Sequence, residues 1–495
     1  MGGSFGSNGG PYGGLRITGG GSVTVTNNTF TGNSSVNANN NLTAGGAYVI
    51  NGTTVTINGN TFTGNSCPNG QGAGGACVSG GTTVTINGNT FTGNFASDYN
   101  SGGRTSGGVY VEGGANLTIN GNIFSGNSCG GPYSGSNGGG AWVDGIAVVM
   151  NGNTFSGNRS SGSSYYGGGN GGGVYFFGGT VTMNGNTFSG NSATICGGGV
   201  CIYYATVTMN GNTFNGNSAD SYGGGACVSS GNATSLSGNA FEQNWAGYGG
   251  GLSVDSGTLT LRDNVIAGNT SSADGGGALL TAGMTYVIDN TITANTGGNG
   301  GGTAFEISGV TEQIYVYNNI IWGNTATGNG GDVYLAGTGS HKEFEYNDVH
   351  SMYGVWDIAT SNLDVAPVFY DPVNANYHLR NTSLCINAGL NTATNIPATD
   401  FDGGLRIQNG IVDLGAYEFN NTAFHPADVN QDWVISAAEY NAYAAAWKND
   451  QPWQPQPSPI PADYVTRAGY LQASGGTYHN DGGGGYPLCW KLGSP

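Results

Sequence analysis

The sequence predicts an all-β chain, a parallel β-helix of about 11–12 coils with a small α-helical module near its C-terminal end. Three observations predict it: a phrase that repeats, an alternation of apolar residues inside the phrase, and glycine or asparagine at every corner. Val55-Thr-Ile-Asn-Gly-Asn-Thr-Phe-Thr-Gly-Asn65 returns nearly unchanged from Val84, Leu117, Val181 and Val207. Anchored on the apolar residue of its Phe-x-x-Asn element, the copies fall at Phe30, Phe62, Phe91, Phe124, Phe155, Phe188, Phe214, Phe241, Ile266, Ile292 and Ile321, between 25 and 33 residues apart. A period of that size marks supersecondary units that bury their apolar faces against neighbours rather than alone.

Within each unit Val55/Ile57, Val84/Ile86, Leu117/Ile119, Val181/Met183 and Val207/Met209 alternate with threonine, the period of a half-buried strand. A second strand follows each glycine run, as in Ala47-Tyr-Val49, Ala76-Cys-Val78 and Ala141-Trp-Val143, and a short third holds the Phe. Asn-Gly-Asn corners supply the positive φ that lets three strands close one coil. Asn60, Asn89, Asn122, Asn153, Asn186 and Asn212 recur at one corner and are expected to stack as an amide ladder. At the interstrand spacing of a sheet, eleven coils make a rod on the order of 50 Å long.

The paired signatures Gly-Gly-Ala-x-Val and Phe-x-x-Asn resemble the repeats of polymorphic outer membrane proteins and the wider pectate-lyase-like, right-handed β-helix family, over about residues 13–350. The resemblance implies the fold and its hand; the architecture carries lyases, glycosidases, adhesins and stalks alike. Asp371-Pro-Val-Asn-Ala-Asn-Tyr-His-Leu379, Asp400-Phe-Asp-Gly-Gly-Leu-Arg406 and Val412-Asp-Leu-Gly-Ala-Tyr-Glu418 look like the segment that closes such helices in secreted bacterial surface proteins. The expected organisation is a β-helix over 1–349, last coils and cap over 350–424, a calcium loop and helix over 425–451, a Pro-rich linker over 452–462, and a second helix and tail over 463–495.

Composition points outside the cell. Glycine makes up 98 of 495 residues, charged residues only 8%, and the net charge is −18. Ten Lys and Arg cannot neutralise a phosphate backbone, so nucleic acid is not an expected partner, and no apolar run is long enough to span a membrane. Met1 is followed by Gly-Gly-Ser-Phe-Gly-Ser-Asn rather than a basic and apolar leader; a secreted protein of this sequence would be numbered from its processed form or from an incomplete start.

None of the eight Cys sits in a Cys-x-x-Cys pattern. Cys201 and Cys227 occupy the same slot of consecutive coils, within disulfide reach, and are expected to bond. Cys67 and Cys129 share a slot two coils apart, too far to bridge, and Cys385 and Cys489 are a possible tie between cap and tail. In the strand after the glycines the residues flanked by inward-pointing ones read Tyr48, Cys77, Tyr110, Trp142, Tyr175, Cys201, Cys227. Two readings stand: Tyr48, Tyr110, Trp142 and Tyr175 form an exposed stripe for sugar rings or a protein partner, or the insertions after Phe-x-x-Asn fold over and bury it.

Catalytic chemistry has few candidates. Between residues 17 and 261 the cations are Arg104 and Arg159, neither near an acidic cluster in sequence. Glu112 and Asp144 end the same strand on consecutive coils and are the weak candidates for the two carboxyls of a glycosidase, with Asp255 in the same slot several coils away.

The strongest chemical motif follows the cap. Asp428, Asn430, Asp432, Val434, Ser436 and Glu439 fall at positions 1, 3, 5, 7, 9 and 12 of an EF-hand loop, the spacing that wraps oxygen ligands around one Ca²⁺. The loop resembles that of dockerin-like modules, which implies side-chain ligation by all but Val434, whose carbonyl would serve. Trp433 departs from the pattern, standing where the sharp turn expects glycine. A bare capping box would explain only Ser436 and Glu439. Tyr440, Tyr443, Ala444 and Trp447 then form an apolar helical stripe, and Tyr464-Val-Thr466-Arg-Ala-Gly-Tyr470 echoes the first helix as its partner.

The functional expectation is a non-enzymatic, extracellular or bacterial cell-surface protein, structural or adhesive, whose partners are cell-surface or matrix polymers or further copies of itself joined head to tail. Gly13-Gly-Leu-Arg-Ile17 already matches the strand slot, so a first coil with open strand edges could join another end. The alternative is a carbohydrate-binding or polysaccharide-degrading β-helix.

Overall fold

The computed structural model describes the chain except residues 1–2, 11, 36–41, 98–103, 132–135, 163–167, 308, 381, 409, 420–423, 431, 454–457, 481–486, 489 and 494–495. Its body is a right-handed parallel β-helix of about 11 turns. Successive coils feed a 13-stranded sheet that carries the Phe positions, a 12-stranded sheet, and a 21-stranded sheet. Register is residue for residue: Phe62 pairs with Phe30 and Phe91, Val55 with Val23 and Val84, Tyr48 with Cys77.

Two details differ from the three-strand expectation. The strand after the glycines and the Val-Thr-Ile strand share one sheet, and in several coils they fuse, as in Val109–Asn120, Ala141–Asn151 and Ala226–Ser237. The third face is instead built by residues after Phe-x-x-Asn, such as Ser66–Pro68 and Phe95–Ser97. Their Ser, Cys, Ala and Pro carry little strand propensity; the strand exists because the coils above and below supply its ladder.

The core is a set of columns. Nine rings from Phe5 to Phe241 stack with centroids 4.5–4.9 Å apart and planes within 10°. That interval is the interstrand spacing, so backbone pairing dictates ring stacking. Two asparagine columns flank the phenylalanines. In the expected one, Asn153 Nδ2 donates to Asn186 Oδ1 at 2.9 Å and to the Ile119 carbonyl at 2.8 Å, while Asn153 Oδ1 accepts from both the backbone N–H and Nδ2 of Asn122. The asparagine of Phe-x-x-Asn builds a second ladder of the same kind, from Asn33 through Asn158 to Asn324. Asp332 ends it by accepting from Asn324 and from the backbone of His350 and Ser351. Corner glycines Gly59, Gly88 and Gly121 have φ of 64°, 59° and 60°, the left-handed region that the turn requires.

The closing segment does more than cap. Trp356 packs against Phe305 and Phe344 at the end of the core. The chain then makes a short antiparallel pair, Phe369–Asp371 with Asn376–Leu379, and runs back along the flank of the last coils. Tyr377, Ala416 and Tyr417 cover Val265 and Ala267, and Leu379, Cys385 and Leu414 cover Ile320. In most earlier coils those outward positions hold Thr, Ser or Asn, with Ile123, Ala240 and Glu242 as exceptions; in the covered stretch they include Val265, Ala267 and Ile320.

Beyond it, α1 (Ala437–Lys448) and α2 (Ala462–Ala473) pack on a small core of Ile435, Tyr443, Val465, Ala468, Leu471, Tyr478 and Trp490. The expected helix pair is present, but of the α1 stripe only Tyr443 is buried, and Trp447 faces solvent. Trp433 packs on Phe424 and Tyr370, joining the module to the returning segment.

Candidate functional site

The aromatic column is covered. Tyr48, Tyr110, Trp142 and Tyr175 are 4, 0, 2 and 7% exposed, so the expected partner surface is a second core. The insertions form a three-stranded sheet, Leu42–Ala44, Gln71–Ala73 and Thr105–Ser106, that lays Ala44 and Ala73 over the column. Burial of so much ring area outweighs the cost of ordering these short strands.

What remains open lies at the edge of this second core. Glu112 and Asp144 directly follow the in-register pair Val111 and Val143. Glu112 accepts from the Tyr110 hydroxyl at 2.8 Å and from Ser79 Oγ at 3.0 Å. Burial raises the Asp144 carboxyl; Arg104 opposes that and Glu112 adds to it. Arg104, remote from any acidic cluster in sequence, thus comes to the pair, with its guanidinium 5.4 Å from the Trp142 ring. Asp144 also lines an open groove of about 460 Å³ floored by glycines of successive coils, Gly81, Gly114, Gly145 and Gly179. Continuing up the same slot come Phe177 and Tyr203, paired in register, with the exposed Tyr204 beside them. Two carboxyls, one guanidinium and a cluster of rings along one edge suit polyhydroxylated ligands. Asp255 occupies the slot beyond Ser229, apart from the pair.

Cysteine pairing differs from expectation. Cys201 and Cys227 are register partners, yet the disulfide joins Cys201 to Cys196, with Cα atoms 6.0 Å apart, and Cys227 is a free buried thiol. Slot counting passed over Cys196 because it lies in the connection before the glycines, which curl it back over its own strand. Cys67 and Cys129 lie two coils apart with Ala96 between them, as their spacing predicts. Cys489 lies outside the described residues.

The loop at Asp428 keeps the turn its motif requires. Trp433, in the glycine position, adopts φ 59°, so the turn is made despite the side chain, which is held by Phe424 and Tyr478. Asp428 accepts from the backbone N–H groups of Asp432 and Trp433 and from the Tyr478 hydroxyl at 2.8 Å. Burial pushes its carboxyl up to about 7, those hydrogen bonds oppose the rise, and Asp432 and Glu439 add to it. Glu439 completes a capping box with Ser436 and accepts from the N–H of Val429, and Asn430 Nδ2 donates to Asp432. Val434 bridges to Thr477, tying the loop to the segment after α2. In donor type and number the loop's described residues would suit a hard cation. Elsewhere, the sulfurs of Cys196, Cys201 and Cys227 all lie within 4.8 Å of one another.

Arg406 was not singled out by the sequence. It is 1% exposed and reaches Asp263 at 3.2 Å, Asp289 at 3.4 Å and Glu418 at 3.3 Å, and donates to the carbonyls of Ala416, Asp413 and Gly415. Burial works to lower its pKa, but the surrounding carboxylates outweigh that and hold it charged. Burial pushes Asp263 up to about 8 and Glu418 to about 9, against the pull of Arg406. One cation cannot keep all its buried carboxyls ionised. A signal existed: Asp263, Asp289 and Asn318 replace the corner glycine of Asn-Gly-Asn on three consecutive coils, with φ of 54°, 56° and 59°.

Comparison with curated proteins and with solved structures returns no match. A family description, right handed beta helix region, matches residues 5–193 and 144–349. With coil register, asparagine ladders and stacked phenylalanines running through that same stretch, the chain belongs to the right-handed β-helix family.

Proposed function

We propose that this protein is a non-catalytic, extracellular surface scaffold, a stiff rod that adheres to surface polymers or assembles with its own copies, with Ca²⁺ ordering its C-terminal module. The observation that carries the reading is the pair of unbroken asparagine ladders, which spend the repeat on stiffness and leave side chains at most coils free to vary. Head-to-tail assembly is its filament form. Asp428, Asn430, Asp432, Ser436 and Glu439, with the Val434 carbonyl, would hold the Ca²⁺, whose contribution is to neutralise the loop's carboxylates. Electron microscopy of native material tests the assembly: continuous fibres support it, and isolated short rods at high concentration refute the filament.

A second reading is favoured by one observation, the Glu112, Asp144 and Arg104 edge beside Phe177, Tyr203 and Tyr204: carbohydrate binding on the flank. A glycan panel probed with wild type and with a Phe177→Ala, Tyr204→Ala double variant separates the two. Binding lost in the variant supports the carbohydrate site; no glycan bound by wild type removes it.

A further inference from the structure

Three sulfur atoms converge in the second core without a role in either reading. Cys201 and Cys227 face each other across adjacent coils, and Cys196 comes back over them to form the bridge with Tyr222. Glycine makes the convergence possible. Gly197, at φ +66°, turns the chain from Cys196 into the strand of Cys201, and a Cβ there would come 2.6 Å from the Cys201 Cβ. Gly223 repeats the turn one coil on, where a Cβ would come 2.9 Å from the Cys227 Cβ. All three sulfurs are buried and within 4.8 Å of one another.

We propose that Cys196, Cys201 and Cys227 form a redox-gated site for one thiophilic divalent cation of the Zn²⁺ kind, closed while Cys196 and Cys201 are joined and open when they are reduced. Tetrahedral zinc–sulfur bonds of about 2.3 Å put neighbouring sulfurs about 3.8 Å apart, so small side-chain adjustments suffice. Opening is balanced: a small-molecule dithiol delivers two electrons and two protons to the S–S bond and leaves as its own cyclic disulfide. Binding then breaks three S–H bonds, forms three sulfur–metal bonds and releases three protons to solvent. The Tyr203 hydroxyl, 3.5 Å from Cys196 Sγ, can donate to a ligating thiolate and orient it.

The test uses Cd²⁺ as a spectroscopic stand-in, with excess Ca²⁺ present to occupy oxygen sites. Protein reduced by a dithiol and freed of it without air is expected to show sulfur-to-cadmium charge-transfer absorption that saturates at one ion per chain, absent from the oxidised protein. Cys227→Ala should weaken binding at least about 100-fold, the upper end of what outer-shell partners cost, and Cys129→Ala should not change it. If Cys227→Ala fails to fold, alkylation mapping of the reduced wild type decides: Cd²⁺ must shield Cys196, Cys201 and Cys227. Equal absorption in oxidised and reduced protein, unchanged affinity in Cys227→Ala, or shielding of other cysteines instead, would overturn the proposal.

Discussion

The β-helix body and the junction where the C-terminal segment returns to it both bury polar side chains, and they satisfy them in opposite ways. In the body each asparagine meets an identical asparagine one coil away, so translation alone pairs donors with acceptors, as at Asn122, Asn153 and Asn186. The junction has no repeat to rely on. One guanidinium serves Asp263, Asp289 and Glu418, and both Asp289 oxygens lack a well-aligned hydrogen bond. Repetition makes buried polarity inexpensive, whereas a single junction depends on one residue.

That comparison is most exposed to breaking at Arg406. Arg406→Ala leaves several buried carboxyls without their cation and should cost about 5 kcal/mol, the upper end for breaking a buried pair. Hydrogen exchange is expected to show residues 365–419 opening while coils before residue 240 stay protected; uniform loss along the chain would contradict the separation. Trp142→Ala should cost about 4 kcal/mol through the cavity it leaves in the second core. A stability near wild type by thermal melting would mean that the column is not packed as described.

Calcium sharpens the contrast at the far end. Chelation is expected to lower the stability of residues 425–490 by about 3 kcal/mol if calcium had been held at 100 times its dissociation constant, with the body unaffected. Metal analysis finding none bound at millimolar Ca²⁺ would end that reading. Asn153→Ala interrupts one ladder and should cost about 2 kcal/mol for the groups it leaves unpaired. The loss should stay within neighbouring coils, which hydrogen exchange can localise.

A last expectation concerns pH. Asp263 and Glu418 are held up at about 8 and about 9 in the folded junction by burial. Unfolded, they return to the ordinary carboxylate range. Between those values the folded state holds more protons, so junction stability is present at low pH and falls as pH rises toward 9. A loss of stability between pH 6 and pH 9 is expected, the direction that carboxyls raised in the folded state dictate. Melting that becomes more stable over that range would reverse the assignment.

Much of the body was legible because a repeat states its register aloud: Phe62, Asn60 and Val55 announce the same slot in every copy. The candidate edge was half legible. Glu112 and Asp144 could be paired by counting slots, but Arg104 reaches them through an insertion whose path no period describes. Cys196 was missed for the same reason, lying between slots. The ligand spacing from Asp428 to Glu439 was readable, while the left-handed turn at Trp433 was not, since propensity argues against it and the packing of Phe424 and Tyr478 holds it.

The sequence by itself determined the all-β coil, its period, the inward columns of Phe and Asn and the helix pair at the end, because these depend on local alternation and on residues that repeat. Only the tertiary structure decided that the aromatic column is a core rather than a surface, that Cys201 bonds Cys196, and that the closing segment doubles back to Arg406's carboxylates. Those outcomes depend on where non-repeating chain goes after it leaves the coil. That path is set by which apolar surface remains to be covered, a property of the assembled rod and of no single unit.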